Sequence, residues 1–126
     1  MENIPILQIK DLLLVSIQDP HDEMASRLQQ DLAQKIDLTG ARGVLIDVST
    51  MKAVDEHLGR FLDKLVSLVR IMKAEAVIVG MRPAVALTMV EMNVTLPGVL
   101  TAVDMDSATE LLESRMRNKV KKPSAS

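Results

Sequence analysis

The chain contains no cysteine, no tryptophan and no tyrosine, and its only aromatic residue is Phe61. Without cysteine there is no disulfide framework, no thiolate nucleophile and no zinc–thiolate site. One aromatic ring cannot supply the successive stacking platforms that single-stranded nucleic acid needs. The two histidines, His21 and His57, stand far apart and neither has a ligand-spaced partner, so no metal or other cofactor is expected. Glycine and proline are sparse, at five residues each. Neither a P-loop nor a Gly-x-Gly-x-x-Gly run occurs, and Gly40-Ala41-Arg42-Gly43 follows a helical pattern, the wrong side for cradling a phosphate. No sign of charge dominates: 15 Lys and Arg stand against 17 Asp and Glu, for a formal net charge of −2. That balance exerts no broad pull on nucleic acid. No apolar run approaches the ~18 residues of a membrane span. Met1-Glu2-Asn3 lacks the basic-then-apolar opening of a secretory signal. A cytoplasmic protein that engages neither membrane nor nucleic acid is expected.

What remains is a chain of 126 residues, 48% hydrophobic and 25% charged, suited to a single folded domain. Ile4–Lys10 and Leu12–Ile17 read as two strands joined by a turn at Lys10-Asp11. Pro5 has no N–H to give a neighbour, which puts the first strand at an edge. After a break at Asp19-Pro20-His21-Asp22, the spacing of Met24, Leu28, Leu32 and Ile36, with Ala25 and Ala33 beside them, predicts a helix. Thr39-Gly40 closes it, with Gly40 suited to a left-handed terminal position. Val44–Val48 is almost wholly apolar, the mark of a strand buried on both faces.

Ser49–Asp55 is a polar connection. Leu58, Phe61, Leu62, Leu65, Val66, Val69 and Met72 then trace one face of a second helix. Ala76–Val79 is a second buried strand, ended by Gly80. Pro83 opens a third helix, whose inner face is assigned to Val85, Ala86, Met89, Val90 and Met92. Leu100–Val103 is a last strand, and Asp104–Met116 a fourth helix with Leu111, Leu112 and Met116 apolar. Strands alternating with helices imply an α/β fold: a mixed sheet of about five strands with four helices packed mainly on one face. The domain is assigned to residues 1–118. Residues 119–126, polar and ending Pro-Ser-Ala-Ser, are expected to be a disordered tail.

The segment following the central strand holds the candidate functional residues. Ser49, Asp55 and His57 are the ingredients of a nucleophilic triad. Three such residues in one loop are common by chance, however, and a triad needs long-range geometry. The plain reading has Ser49 and Thr50 making turn hydrogen bonds and His57 at an exposed helix end. Asp55 is placed to cap the second helix, and Glu56 falls in its first turn, where the helix dipole favours a negative group. Met51, alone among polar neighbours, is expected to be exposed on a contact surface. Met72 and Met89, at helical spacing, read as core filler. Lys119, Lys121 and Lys122 read as a solvated run.

Val44-Leu45-Ile46-Asp47-Val48, the loop after it, and Val54-Asp55 ahead of a helix resemble the STAS domain, the family of sulfate transporter and anti-sigma factor antagonist domains. Ile4-Pro5-Ile6-Leu7 and Leu13-Leu14-Val15-Ser16-Ile17-Gln18 are similar to the opening of the small scaffold subunit of the stressosome. The run from Val79 through Gly80-Met81-Arg82-Pro83 to Thr88 is similar to a later signature of stressosome STAS proteins. The resemblance covers about residues 4–116.

It implies a non-enzymatic scaffold that associates with itself and with paralogous STAS sensor subunits into a large shell. The shell would capture a switch serine/threonine kinase, which phosphorylates the scaffold and is then released to a downstream regulator. In that family a serine follows the loop aspartate and accepts the phosphate. Asp55 matches the aspartate, but Glu56 occupies the serine's place. Glutamate carries about −1, against roughly −1.5 to −2 for phosphoserine, so Glu56 is a partial imitation of the modified state. By the same resemblance Thr88 is a possible second phosphoacceptor, with a helix threonine bonded one turn back as the plain alternative. Ser49, Thr50, Met51, Asp55, Glu56 and His57 form the expected partner-binding surface. The alternative role is a free anti-sigma factor antagonist that binds an anti-sigma factor kinase and builds no shell.

Overall fold

A computed structural model of the chain describes residues 4–18, 22–51, 54–96 and 98–121. Five strands and four helices follow one another as β1 (Ile6–Ile9), β2 (Leu12–Ser16), α1 (Asp22–Thr39), β3 (Gly43–Asp47), α2 (Glu56–Ile71), β4 (Glu75–Val79), α3 (Pro83–Glu91), β5 (Leu100–Ala102) and α4 (Met105–Lys121). The sheet order is β1-β2-β3-β4-β5. β1 pairs antiparallel with β2, and every later neighbour is parallel.

That order dictates the layers. Crossovers between adjacent parallel strands are right-handed, so strands added in one direction carry all their connecting helices on the same face. α1, α2 and α3 therefore share one face, and the core there takes Val44, Ile46 and Val48 from the β3 segment with Ala76 and Ile78 from β4. α4 is not a crossover and packs on the opposite face. There Leu45, Val77 and Val79 meet Ala108, Leu112 and Met116. The period-two alternation of strand side chains divides β3 and β4 between the two cores, which is why both read as continuous apolar runs. The sheet is mixed and three of its four helices lie on one side, as the sequence pattern predicts.

The local signals hold at several ends. Gly40 has φ +66 after α1, and Pro83 is the first residue of α3. Three details differ. α3 buries Val85 and Met89, but Val90, assigned to its inner face, is 72% exposed. Nine residues with apolar side chains nearly all round give no period that separates inside from outside. Val103 is 82% exposed, because β5 ends at Ala102, one residue before the predicted end. α4 continues to Lys121, three residues into the segment expected to be a tail, and the rest of that segment lies outside the described residues. None of the described helices is long and apolar enough to cross a membrane.

Candidate functional site

Parallel strands deliver their connecting loops to one edge of the sheet, and the loop after β3 is held there from both sides. The Ile17 N–H donates to the Asp47 carbonyl at 2.8 Å, and the Val48 N–H to the Val79 carbonyl at 3.0 Å. The chain then turns. The Asp47 carboxylate accepts the Ser49 N–H at 2.9 Å, and the Met51 N–H donates to the Val48 carbonyl at 3.1 Å. The Thr50 hydroxyl donates to the Ile17 carbonyl at 3.4 Å, a long bond that ties the turn to the end of β2. Ser49 and Thr50 are thus exposed residues engaged in turn hydrogen bonding, one through its N–H and the other through its hydroxyl.

This turn sends Met51 inward. It is 1% exposed and belongs to the main core together with Ile17, Val48 and Val54. The expectation that Met51 lies on a contact surface is therefore corrected. Its polar neighbours in sequence sit on the outside of the turn, and the flexible thioether fills the space beneath.

Asp55 is the N-cap of α2. Its backbone is extended, and its carboxylate accepts the Leu58 N–H at 2.8 Å, satisfying one of the donors a helix start leaves open. Glu56 and His57 follow in the first turn, both exposed. The Glu56 carboxylate pairs with the Arg60 guanidinium one turn on. Ser49, Thr50, Asp55, Glu56 and His57 consequently share one loop-and-helix-start surface, and Met51 supports it from within. The Asp55 carboxylate is committed to the cap.

Thr88 lies apart from this surface, on α3. It is half-buried and its hydroxyl donates to the Ala84 carbonyl at 2.9 Å, the one-turn-back bond of a helix threonine. His21 lies outside the described residues.

Two further residues shape the site. Arg60 sets the charge shown at Glu56, and the Glu-x-x-x-Arg spacing that pairs them is visible in the sequence. Gly80 follows β4 with φ +75, and a Cβ there would stand 2.8 Å from the Ser49 side chain. Only glycine accepts both the left-handed backbone and that approach. The loop after β4 is thereby packed against the loop after β3, a contact that no local pattern announces.

Comparison with solved structures gives two neighbours at the same level of identity. A serine-to-glutamate variant of RsbS from Moorella thermoacetica is 30% identical, with a TM-score of 0.80 over 90% of this chain and 97% of that one. A chain from the molecular architecture of the stressosome, described as a signal integration and transduction hub, is also 30% identical. Its TM-score is 0.81 over 90% of this chain and 99% of that one. The anti-sigma factor antagonist SpoIIAA in its unphosphorylated form is 11% identical with a TM-score of 0.60, over 90% and 96% of the two chains, and shares the fold. No family model matches the chain, and no curated protein matches its sequence.

Proposed function

We propose, from the premise that this chain belongs to the STAS domain family on its RsbS side, that it is a non-enzymatic stressosome scaffold. In this reading it binds a switch serine/threonine kinase in a bacterial stress-response cascade, and residues 1–118 form the working domain. Glu56 stands where the family carries its phosphoacceptor serine and acts as a built-in phosphomimic. The observation that carries the reading is an exposed carboxylate in the first turn of α2, on a loop surface fixed by hydrogen bonds to two strands.

The switch is electrostatic. A docked kinase that tolerates a neutral serine meets a negative charge at Glu56, whose repulsion and desolvation weaken the complex. No rearrangement inside the domain is needed. Asp55 keeps the helix start in place whichever residue follows it, and Ser49, Thr50 and His57 complete the contact surface. Arg60 screens part of the Glu56 charge, so the mimicry falls short of a phosphate.

Titration calorimetry with the cognate switch kinase tests this. Glu56→Ser is expected to tighten binding, and kinase with ATP is expected to reverse the gain by phosphorylating the new serine. Phosphopeptide mapping of the same sample reads modification of Thr88. Equal affinity of the unsubstituted chain, the Glu56→Ser variant and the phosphorylated Glu56→Ser variant would discard the charge switch. For assembly, light scattering of the chain alone and with a paralogous STAS sensor subunit is expected to give a megadalton species. A compact monomer or dimer under both conditions would instead favour the free antagonist.

A further inference from the structure

Beside the docking surface, between α1 and α2, lies a cleft of about 390 Å³, within the ~300–1,000 Å³ range of small-molecule sites. His57, Arg60 and Lys64 of α2 line one wall, their spacing placing them on one helical face. Ser26 and Gln29 of α1 line the other, with Ala25 and Phe61 at the apolar floor. Every polar group among the described lining residues can donate a hydrogen bond, and three of them are basic side chains. No carboxylate is among the described residues that line it. Lys64 is exposed and pairs with no other described residue.

We propose that this cleft binds a small phosphate-bearing anion. The N–H and O–H groups of Ser26, Gln29, Arg60 and Lys64 outnumber the about four lone-pair sites of a carboxylate, whereas a phosphate offers three or four oxygens and up to two charges. The guanidinium fork and the point charge of an ammonium are the usual pair for such a group. The floor suits a small ligand, because Phe61 is 4% exposed and presents no open ring for a nucleobase to stack upon. Arg60 is shared: its guanidinium pairs with Glu56 across the rim of the cleft, so the anion and Glu56 compete for it. Binding in the cleft does not depend on the kinase-docking role.

Amide NMR titrations of the full chain test the site. Inorganic phosphate and methyl phosphate are added separately at constant ionic strength, with chloride as the reference. Saturable shifts are expected at Ser26, Gln29, His57 and Lys64, and the tighter of the two probes identifies a free phosphate or a monoester as the source. Lys64→Gln, an exposed change whose own spectrum reports its fold, is expected to weaken binding by about ten-fold. Glu56→Gln frees Arg60 and removes a neighbouring negative charge, and is expected to tighten binding by about three-fold. Shifts that never saturate, that match the chloride reference, or that persist with unchanged affinity in Lys64→Gln would overturn the proposal.

Discussion

α2 and α4 begin alike. Each follows an aspartate whose carboxylate accepts the N–H three residues on, Asp55 from Leu58 and Asp104 from Ser107, both at 2.8 Å. Each then has an acidic residue in its first turn, Glu56 in one and Asp106 in the other. The chain leading into them differs. Ahead of α2 the loop buries Met51 and Val54 and is bonded to β2 and β4. Ahead of α4 stands Val103, 82% exposed. A capped start with a negative first turn is thus ordinary helix chemistry. What marks the start of α2 is that its approach is built into the core and that a basic partner and a basic-lined cleft adjoin it.

The two approaches should respond very differently to truncation. Met51→Ala removes a fully buried side chain and is expected to cost about 2–5 kcal/mol, measured by urea unfolding. Val103→Ala, on the approach to α4, should stay within about 0.5 kcal/mol. Gly80→Ala introduces both a disfavoured backbone angle and a contact with Ser49, and is expected to cost more than about 1 kcal/mol in the same assay. Asp55→Ala should cost about 1 kcal/mol through loss of the cap, with Asp55→Asn largely restoring it. Arg60→Gln breaks an exposed pair and is expected to change stability by only about 0.3–0.5 kcal/mol, while weakening kinase binding further because the Glu56 charge is then unscreened.

The smallest effect is one of pH, at the start of α4. Hydrogen bonds from Ser107, its backbone N–H first and its side chain second, hold the Asp104 carboxyl below the ordinary carboxylate range. The folded state therefore favours the ionised form more than the unfolded chain does. That contribution is complete above the ordinary range and is lost as pH falls through the lowered value. Asp104→Asn should remove this part of the acid dependence of unfolding, read from denaturant midpoints across the acid range, and leave stability near neutral pH almost unchanged.

Much of this is legible in residue order. Helical spacing from Leu58 to Val69 marks the buried face of α2, apolar runs mark the two central strands, and Asp55 is recognisable as a cap. Residue order misleads at Met51 because a turn closed by its own backbone decides its direction, and the polarity of neighbouring side chains does not report that turn. It misleads at Val90 because a short helix with apolar residues on all sides carries no directional signal. The packing of Gly80 on Ser49 and the cleft that Ser26 and Gln29 line with Lys64 join segments distant in sequence, which periodicity cannot bring together. Residues on one element are readable, and the juxtapositions between elements need the fold.

The most direct test of the central claim is the affinity of the switch kinase for three forms of the full chain, measured by calorimetry in one buffer: unmodified, Glu56→Gln and Glu56→Ser. If the charge at the mouth of α2 governs docking, both substitutions tighten the complex by about ten-fold or more, and raising the salt concentration narrows the gap. Three equal affinities, insensitive to salt, would contradict it.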